Sequence, residues 1–213
     1  MMRKALLVDY GGVLTGSLGH VFRDAEVAAG VPKGELVKVL LEAYGQPEGD
    51  GFVHRFERGE MEAAEFEGHL RTELAARGHQ VSEEPLMSRV FGGLGPDRDN
   101  GMWDLVRSAR SQGVGTGLLS NSWGTAGYPL TLLHECFEDL VISGEVGLRK
   151  PDPAIYLLAA ERLGVGVVDC IFVDDLDSNV EAAQAVGMAG VVHRGDVIAT
   201  AEAIEAFLGL SLR

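Results

Sequence analysis

Only two cysteines, Cys136 and Cys170, stand in the 213 residues, far apart and each in an apolar setting. That is too few for a disulfide framework and reads as packed thiols in a reducing compartment. Basic residues are scarce as well: 18 Lys and Arg face 32 Asp and Glu, a net charge of −14. A nucleic-acid footprint needs clustered Lys and Arg, so that class of partner is excluded. The same negative field repels anions at long range, so any phosphate site has to supply its own local positive charge. No apolar run approaches the ~18–20 residues of a membrane span. The first apolar run stops at Asp9 without the layout of a secretory signal. The expectation is a cytoplasmic protein with no membrane partner. Oligomeric state stays open.

What is present changes rhythm along the chain. A short apolar run, Lys4–Val8, ends at Asp9. From about Gly16 to Gly95, apolar residues recur at three- and four-residue spacing, in GHVFRDAEVAAG, PKGELVKVLLEAYG, FERGEMEAAEFEGHLRTELAARG and SEEPLMSRVFGG. Gly30-Val31-Pro32, Gly45-Gln46-Pro47 and Gly78 act as stop and start signals between these helices. From Pro96 onward, helices alternate with the apolar runs VGTGLLS, DLVIS, CIFVDD and AGVVH, and the helix VIATAEAIEAFLGL follows the last of them. Short continuous apolar strands separated by helices predict a parallel sheet covered on both faces. The predicted fold is therefore α/β, a three-layer Rossmann-like core of residues 1–15 and 96–213. An α-helical cap, residues 16–95, is inserted after the first strand. Ligands bind such sheets at the carboxyl ends of the strands, so the residues just after each strand matter most.

Four strand ends carry polar groups. Asp9 follows the first; Ser120, Asn121 and Ser122 follow the second; Arg149 and Lys150 lie in the loop after the third; Asp174, Asp175, Asp177 and Asn179 follow the fourth. Singly, most have an ordinary reading as helix caps or turn formers. Asp174 and Asp175 are the exception, because adjacent carboxylates repel and need a cation or a proton to sit together. Jointly, the set suits phosphoryl transfer. A carboxylate can attack phosphorus, carboxylates from two strand ends can hold Mg²⁺, and Ser120 with nearby N–H groups can bind phosphoryl oxygens. Lys150 supplies the positive charge that the acidic composition demands.

These stretches resemble the haloacid dehalogenase-like (HAD) hydrolase superfamily over essentially the whole chain. VDYGGVL is similar to its first motif, LLSN to its second, GLRKPDPAIY to its third and IFVDDLDSNVEAAQAVGM to its fourth. A helical cap after the first motif resembles the C1-capped branch, here with a variant first motif, DYGGVL, and a DD…N fourth motif. The resemblance implies Asp9 as nucleophile and Mg²⁺ ligand, the Gly11 carbonyl as a further ligand, and Asp175 as a metal ligand. Asp174 would be a second acidic group of the metal site, directly or through water. Lys150 would steady Asp9 and the transferring group. Ser120 would bind phosphate, with Asn121, Gly11 and Gly12 beside it.

One departure stands out. Phosphatases of this superfamily place a second Asp two residues after the nucleophile, as acid and base; here that residue is Gly11. General acid–base help is worth ~10²–10⁴-fold. The expected activity is thus Mg²⁺-dependent hydrolysis of a small phosphorylated metabolite through an aspartyl-phosphate, restricted to good leaving groups such as sugar 1-phosphates, acyl phosphates and aryl phosphates. The alternatives are a 2-haloacid dehalogenase, whose halide leaves unprotonated, and a non-catalytic phosphate- or Mg²⁺-binding protein. His20, His54 and Glu57 are the cap candidates for a substitute acid or base. Trp123 either lines the substrate pocket or packs under the cap, and Trp103 reads as core. The stretch Gly45–Gly51 reads as a cap loop bearing on specificity.

Overall fold

The computed structural model describes residues 3–16, 18–45, 51–83, 86–87, 90, 95–97, 100–124 and 127–212, with Leu18 and His20 described by their backbone alone. Five strands form one sheet: β1 (Ala5–Val8), β2 (Gly115–Ser120), β3 (Asp139–Ile142), β4 (Cys170–Asp174) and β5 (Ala189–Val192). All pair in parallel, in the order β3-β2-β1-β4-β5. The three inner strands are buried along their whole length. That is why they read as continuous apolar runs rather than alternating ones. β1 is central, and the chain crosses from its β2 side to its β4 side. The crevice at that switch point is bounded by the ends of β1, β2 and β4.

Between β1 and β2 the chain makes a helical excursion. Its helices are α1 (Leu18–Ala29), α2 (Glu35–Tyr44), α3 (Phe52–Glu57) and α4 (Ala63–Ala76). They share a core that includes Val21, Leu36, Leu40, Phe56, Phe66 and Leu70. In α2 the buried Leu36, Val39, Leu40 and Ala43 follow the spacing of one helix face. Thr15 pairs with Pro96 where the excursion leaves and returns, and Asp97 N–H donates to the Leu14 carbonyl at 3.2 Å. The turn before it is held by Trp103 Nε1, which donates to the same carbonyl at 3.0 Å, and by Asn100 Nδ2 on the Val13 carbonyl at 2.6 Å.

The spacing predicts one helix from Phe56 to Gly78, but the structure has two. Gly59 lies between them with φ +73°, and a Cβ there would stand 2.3 Å from the Gly144 carbonyl oxygen. A left-handed residue ends α3 just where the backbone meets the core, and only glycine fits both demands.

The core helices are α5 (Met102–Ser111), α6 (Leu130–Cys136), α7 (Ser143–Val146), α8 (Pro153–Arg162), α9 (Asp177–Ala185) and α10 (Val197–Leu208). Alternate β1 residues face opposite layers. Leu6 and Val8 join Trp103, Leu133 and Ile204 from α5, α6 and α10. Ala5 and Leu7 join Tyr156 and Ala159 of α8 and Ala183 of α9. The three-layer arrangement follows from that alternation. Cys136 and Cys170 are both buried free thiols. Among the described residues, no helix is long and apolar enough to cross a membrane.

Candidate active site

The ends of β1 and β4 and the loop after β3 bring three groups into contact. Lys150 Nζ donates to Asp9 Oδ1 at 2.7 Å and to Asp174 Oδ2 at 2.6 Å. Oxygens of Asp9, Asp174 and Asp175 come within 4.8 Å of one another. Lys150 is 1% exposed and Asp174 is fully buried, so this bridge lies in a low-dielectric setting where charges must be matched. The two carboxylates flanking β4 have different surroundings. Asp174 accepts N–H bonds on both oxygens: from Leu176 N at 2.8 Å, from Asn179 Nδ2 at 3.1 and 3.0 Å, and from Lys150. Asp175 packs against Gly12, where a Cβ would stand 2.3 Å from its Oδ2 and where φ is +71°. Glycine at residue 12 therefore makes room for the carboxylate.

Asp9 and Asp174 share one ammonium, Asp175 stands beside them, and the acidities of Asp9 and Asp175 show the burial and crowding. Burial pushes the Asp9 carboxyl up to about 7; Lys150 pulls it down, and Asp174 and Asp175 push it up. Burial and then Asp174 lift Asp175 to about 6. Burial alone would lower the Lys150 ammonium, but Asp174 and Asp9 lift it above the usual lysine range. Oxygen-only donors with charge to spare can hold a hard divalent cation.

Ser120 and Asn121 end β2 beside this cluster. The Ser120 hydroxyl lies 2.9 Å from the Tyr128 hydroxyl. Asn121 brackets Lys150: its Oδ1 accepts from Lys150 N at 2.7 Å, and its Nδ2 donates to the Lys150 carbonyl at 2.9 Å. Its side chain thus sets where the ammonium is aimed. Gly12 N–H donates to Thr15 Oγ1 at 3.0 Å, inside the turn after β1. Gly11 lines the cavity next to Asp9.

The excursion reaches this floor through Glu57, at the end of α3. Arg149 Nε donates to Glu57 Oε2 at 2.6 Å, Asn121 Nδ2 lies 3.4 Å from the same oxygen, and Tyr44 OH donates to Oε1. The Glu57 carbonyl accepts from Ser143 Oγ and Ser122 Oγ. Glu57 is 1% exposed; burial raises its pKa, opposed by Arg149 and Tyr44. Sequence reasoning named Glu57 as a candidate acid or base; in the structure it ties α3 of the helical excursion to the Lys150 loop. The partners Arg149 and Tyr44, and Tyr128 beside Ser120, carried no local signal for these contacts. His54 is buried and lines the cavity. The His20 side chain and residues 46–50 of the cap loop lie outside the described residues.

Above the carboxylates is a cavity of about 550 Å³, with Asp9, Ser120, Lys150 and Asp175 among its lining. Trp123 lines it and also packs at a tilt against Phe22 and edge-on against Phe66, with centroids 5.5 and 5.8 Å away. Its packing reading is the one the structure shows, and its place on the cavity wall leaves contact with substrate as a proposal. Trp103 is core, 1% exposed.

This geometry can be set beside known proteins. A profile of haloacid dehalogenase-like hydrolases matches residues 3–187. Mouse acyl-CoA dehydrogenase family member 10 is 31% identical over 98% of this chain, which spans only 19% of that protein. The sesquiterpene phosphatase astK of Aspergillus oryzae is 30% identical over 73% of this chain and 78% of its own length. A HAD family enzyme of Bacteroides thetaiotaomicron, solved with magnesium and inorganic phosphate, superposes with a TM-score of 0.62. It is 24% identical, with 91% of this chain and 96% of that one covered. With its profile match running from before β1 to beyond α9, the chain belongs to the haloacid dehalogenase-like hydrolases.

Proposed function

We propose that the protein is a Mg²⁺-dependent phosphatase that takes the phosphoryl group of a small phosphomonoester onto Asp9 and passes it to water. The observation that carries this reading is the buried Asp9–Lys150–Asp174 bridge, with Asp175 alongside, at the floor of a cavity. The magnesium and phosphate in the Bacteroides structure and the activity named for the Aspergillus relative point the same way.

Lys150 fixes Oδ1 of Asp9, so Oδ2 attacks phosphorus in line with the ester oxygen. The P–O ester bond breaks, and the departing oxygen keeps the electron pair. Glycine at residue 11 offers it no proton, which comes instead from water. Water then attacks the phosphorus of the aspartyl-phosphate, the bond to Oδ2 breaks, and inorganic phosphate leaves with the carboxylate restored. Lys150 and the Ser120 hydroxyl, backed by Tyr128, stabilise the phosphoryl oxygens. The donor set fits Mg²⁺: Asp9, Asp175 and the Gly11 carbonyl would hold it, while Asp174, its oxygens engaged by N–H donors, positions Lys150. Bound there, Mg²⁺ supplies charge neutralisation on the phosphoryl oxygens.

A phosphate-release screen with and without Mg²⁺, using aryl phosphates, sugar 1-phosphates and 2-haloacids, tests the reading. Phosphate release that stops on chelation is the expected result. Chelator-insensitive halide release would make the protein a dehalogenase. No turnover above an Asp9→Asn control would leave a binding protein.

Metal binding should release protons. Asp9 and Asp175 are protonated below about 7 and about 6, so lowering the pH through this range weakens Mg²⁺ binding, and raising it above both values restores full affinity. Calorimetry in buffers of different ionisation enthalpy should read about one proton released at mildly acidic pH and none at alkaline pH. An affinity independent of pH would contradict this.

The second chemical step lacks its usual base, so aspartyl-phosphate should accumulate and rapid quench should show a burst. Gly11→Asp places a carboxyl in the cavity beside Asp9. It should abolish the burst and raise turnover of alkyl phosphates by about 10²-fold, the lower end of general acid–base catalysis. A variant with unchanged burst and turnover would show that residue 11 does not limit the reaction.

A further inference from the structure

The cavity floor is charged, but its walls are not. Above Asp9, Lys150 and Asp175 rise Phe22, Val37, Leu40 and Val90 from the cap side and Trp123 from the loop after β2. Among the described lining residues, the only other acidic or basic side chains besides His54 are Glu57 and Arg149, which pair with each other. Two of the few large apolar residues exposed on the surface also line this cavity: Leu41 at 65% and Leu176 at 55%. Single exposed leucines are ordinary. Two on one cavity, from opposite sides of the site, make an apolar rim.

The geometry points to a substrate whose phosphate is carried on an apolar phenol, with a hydrocarbon body of about a dozen carbons. This deepens the phosphatase reading of the same site and rests on it. Size sets the carbon count. At about 30 Å³ per heavy atom, the volume of a liquid water molecule, the 550 Å³ cavity takes about 18 heavy atoms. The phosphate uses five, leaving about a dozen. Polarity sets the class. Each sugar hydroxyl pressed against such a wall without a partner costs about tenfold in affinity, whereas each buried methylene gains about fourfold. Charge sets a further limit: with a net charge of −14, a second phosphate or carboxylate on the substrate meets no cation among the described wall residues beyond the paired Arg149. Of the leaving groups that tolerate glycine at residue 11, the cavity selects the apolar aryl type over sugar 1-phosphates.

The test is a series from phenyl phosphate to 4-hexylphenyl phosphate, which lengthens the tail at nearly constant leaving-group acidity, with glucose 1-phosphate as comparator. With Mg²⁺, kcat/KM should rise about fourfold per added carbon, on the order of a few thousand-fold across the series, and glucose 1-phosphate should fall below all of them. A flat series, or glucose 1-phosphate as the best substrate, would overturn the proposal while leaving the phosphatase reading standing. Binding of the matching phosphonates, read by calorimetry, separates the two claims. If no ester is hydrolysed but phosphonate affinity still climbs with tail length, the apolar site stands and the phosphatase reading falls. If affinity does not climb either, both fall.

Discussion

Asp9→Asn should fold normally and lose phosphate release by about 10⁴-fold or more, the scale seen when a covalent nucleophile is removed. The carboxamide has the same shape, and its oxygen can still accept from Lys150 Nζ. It cannot attack phosphorus. The stability side has a definite sign. Burial raises the Asp9 carboxyl to about 7, so the native state holds a proton that the unfolded state has already lost above the ordinary value of 3.8. Stability therefore falls as pH rises from about 4 to about 7, and the ionised group is a cost above that range. The neutral asparagine avoids the cost. At mildly alkaline pH the variant should unfold at the same or a higher temperature than the wild type, despite its lost activity. A strongly destabilised variant would show that Asp9 contributes more to the fold than to chemistry.

Lys150→Met should have the largest effect on stability, about 3–5 kcal/mol, the cost of breaking a buried ion pair from one side. The ammonium is 1% exposed and bridges two carboxylates, with a third nearby. Methionine fills a similar volume but leaves those charges unmatched. Removing the cation raises the native pKa values of Asp9 and Asp175 further, so the variant's native state binds more protons than its unfolded state over a wider pH range. Its deficit should thus shrink as pH falls from 8 toward 5. Denaturant unfolding at several pH values reads this directly. A deficit that grows at low pH would contradict the bridging role. Activity should be lost with it, because in the proposed reaction Lys150 both aims Asp9 and neutralises the phosphoryl group.

The sheet was legible because its inner strands are buried on both faces and each apolar run ends in a buried polar group: Asp9, Ser120 and Asp174. The cap helices were legible as 3.6-residue apolar stripes. What sequence spacing could not show is which distant residues meet. Glu57 and Arg149 are 92 positions apart, and Asn121 and Lys150 are 29 apart. No local pattern marks either pair, since Glu57 follows an ordinary apolar stripe and Asn121 an ordinary strand. The break at Gly59 was invisible for the same reason. Its cause is the carbonyl of Gly144, far along the chain. The Asp174–Asp175 pair lay between these cases. Two adjacent carboxylates announced a need for positive charge. Only the fold assigns one to Lys150 and Asn179 and leaves the other, half-buried, against Gly12.

The tie at Glu57 links the helical excursion to the loop after β3. Arg149 and Lys150 are neighbours in one loop; Glu57 holds the first and Asn121 brackets the second. The helices of the excursion that wall the cavity therefore touch the same loop that carries Lys150, whose ammonium holds Asp9.

The most direct test of the central claim is to quench the enzyme during turnover of an aryl phosphate with Mg²⁺ and reduce it with borohydride, which converts an aspartyl-phosphate to homoserine. Peptide mass spectrometry should find homoserine at residue 9, and none in Asp9→Asn. Turnover at full rate with unmodified Asp9, or homoserine at Asp174 or Asp175 instead, would contradict Asp9 as the nucleophile.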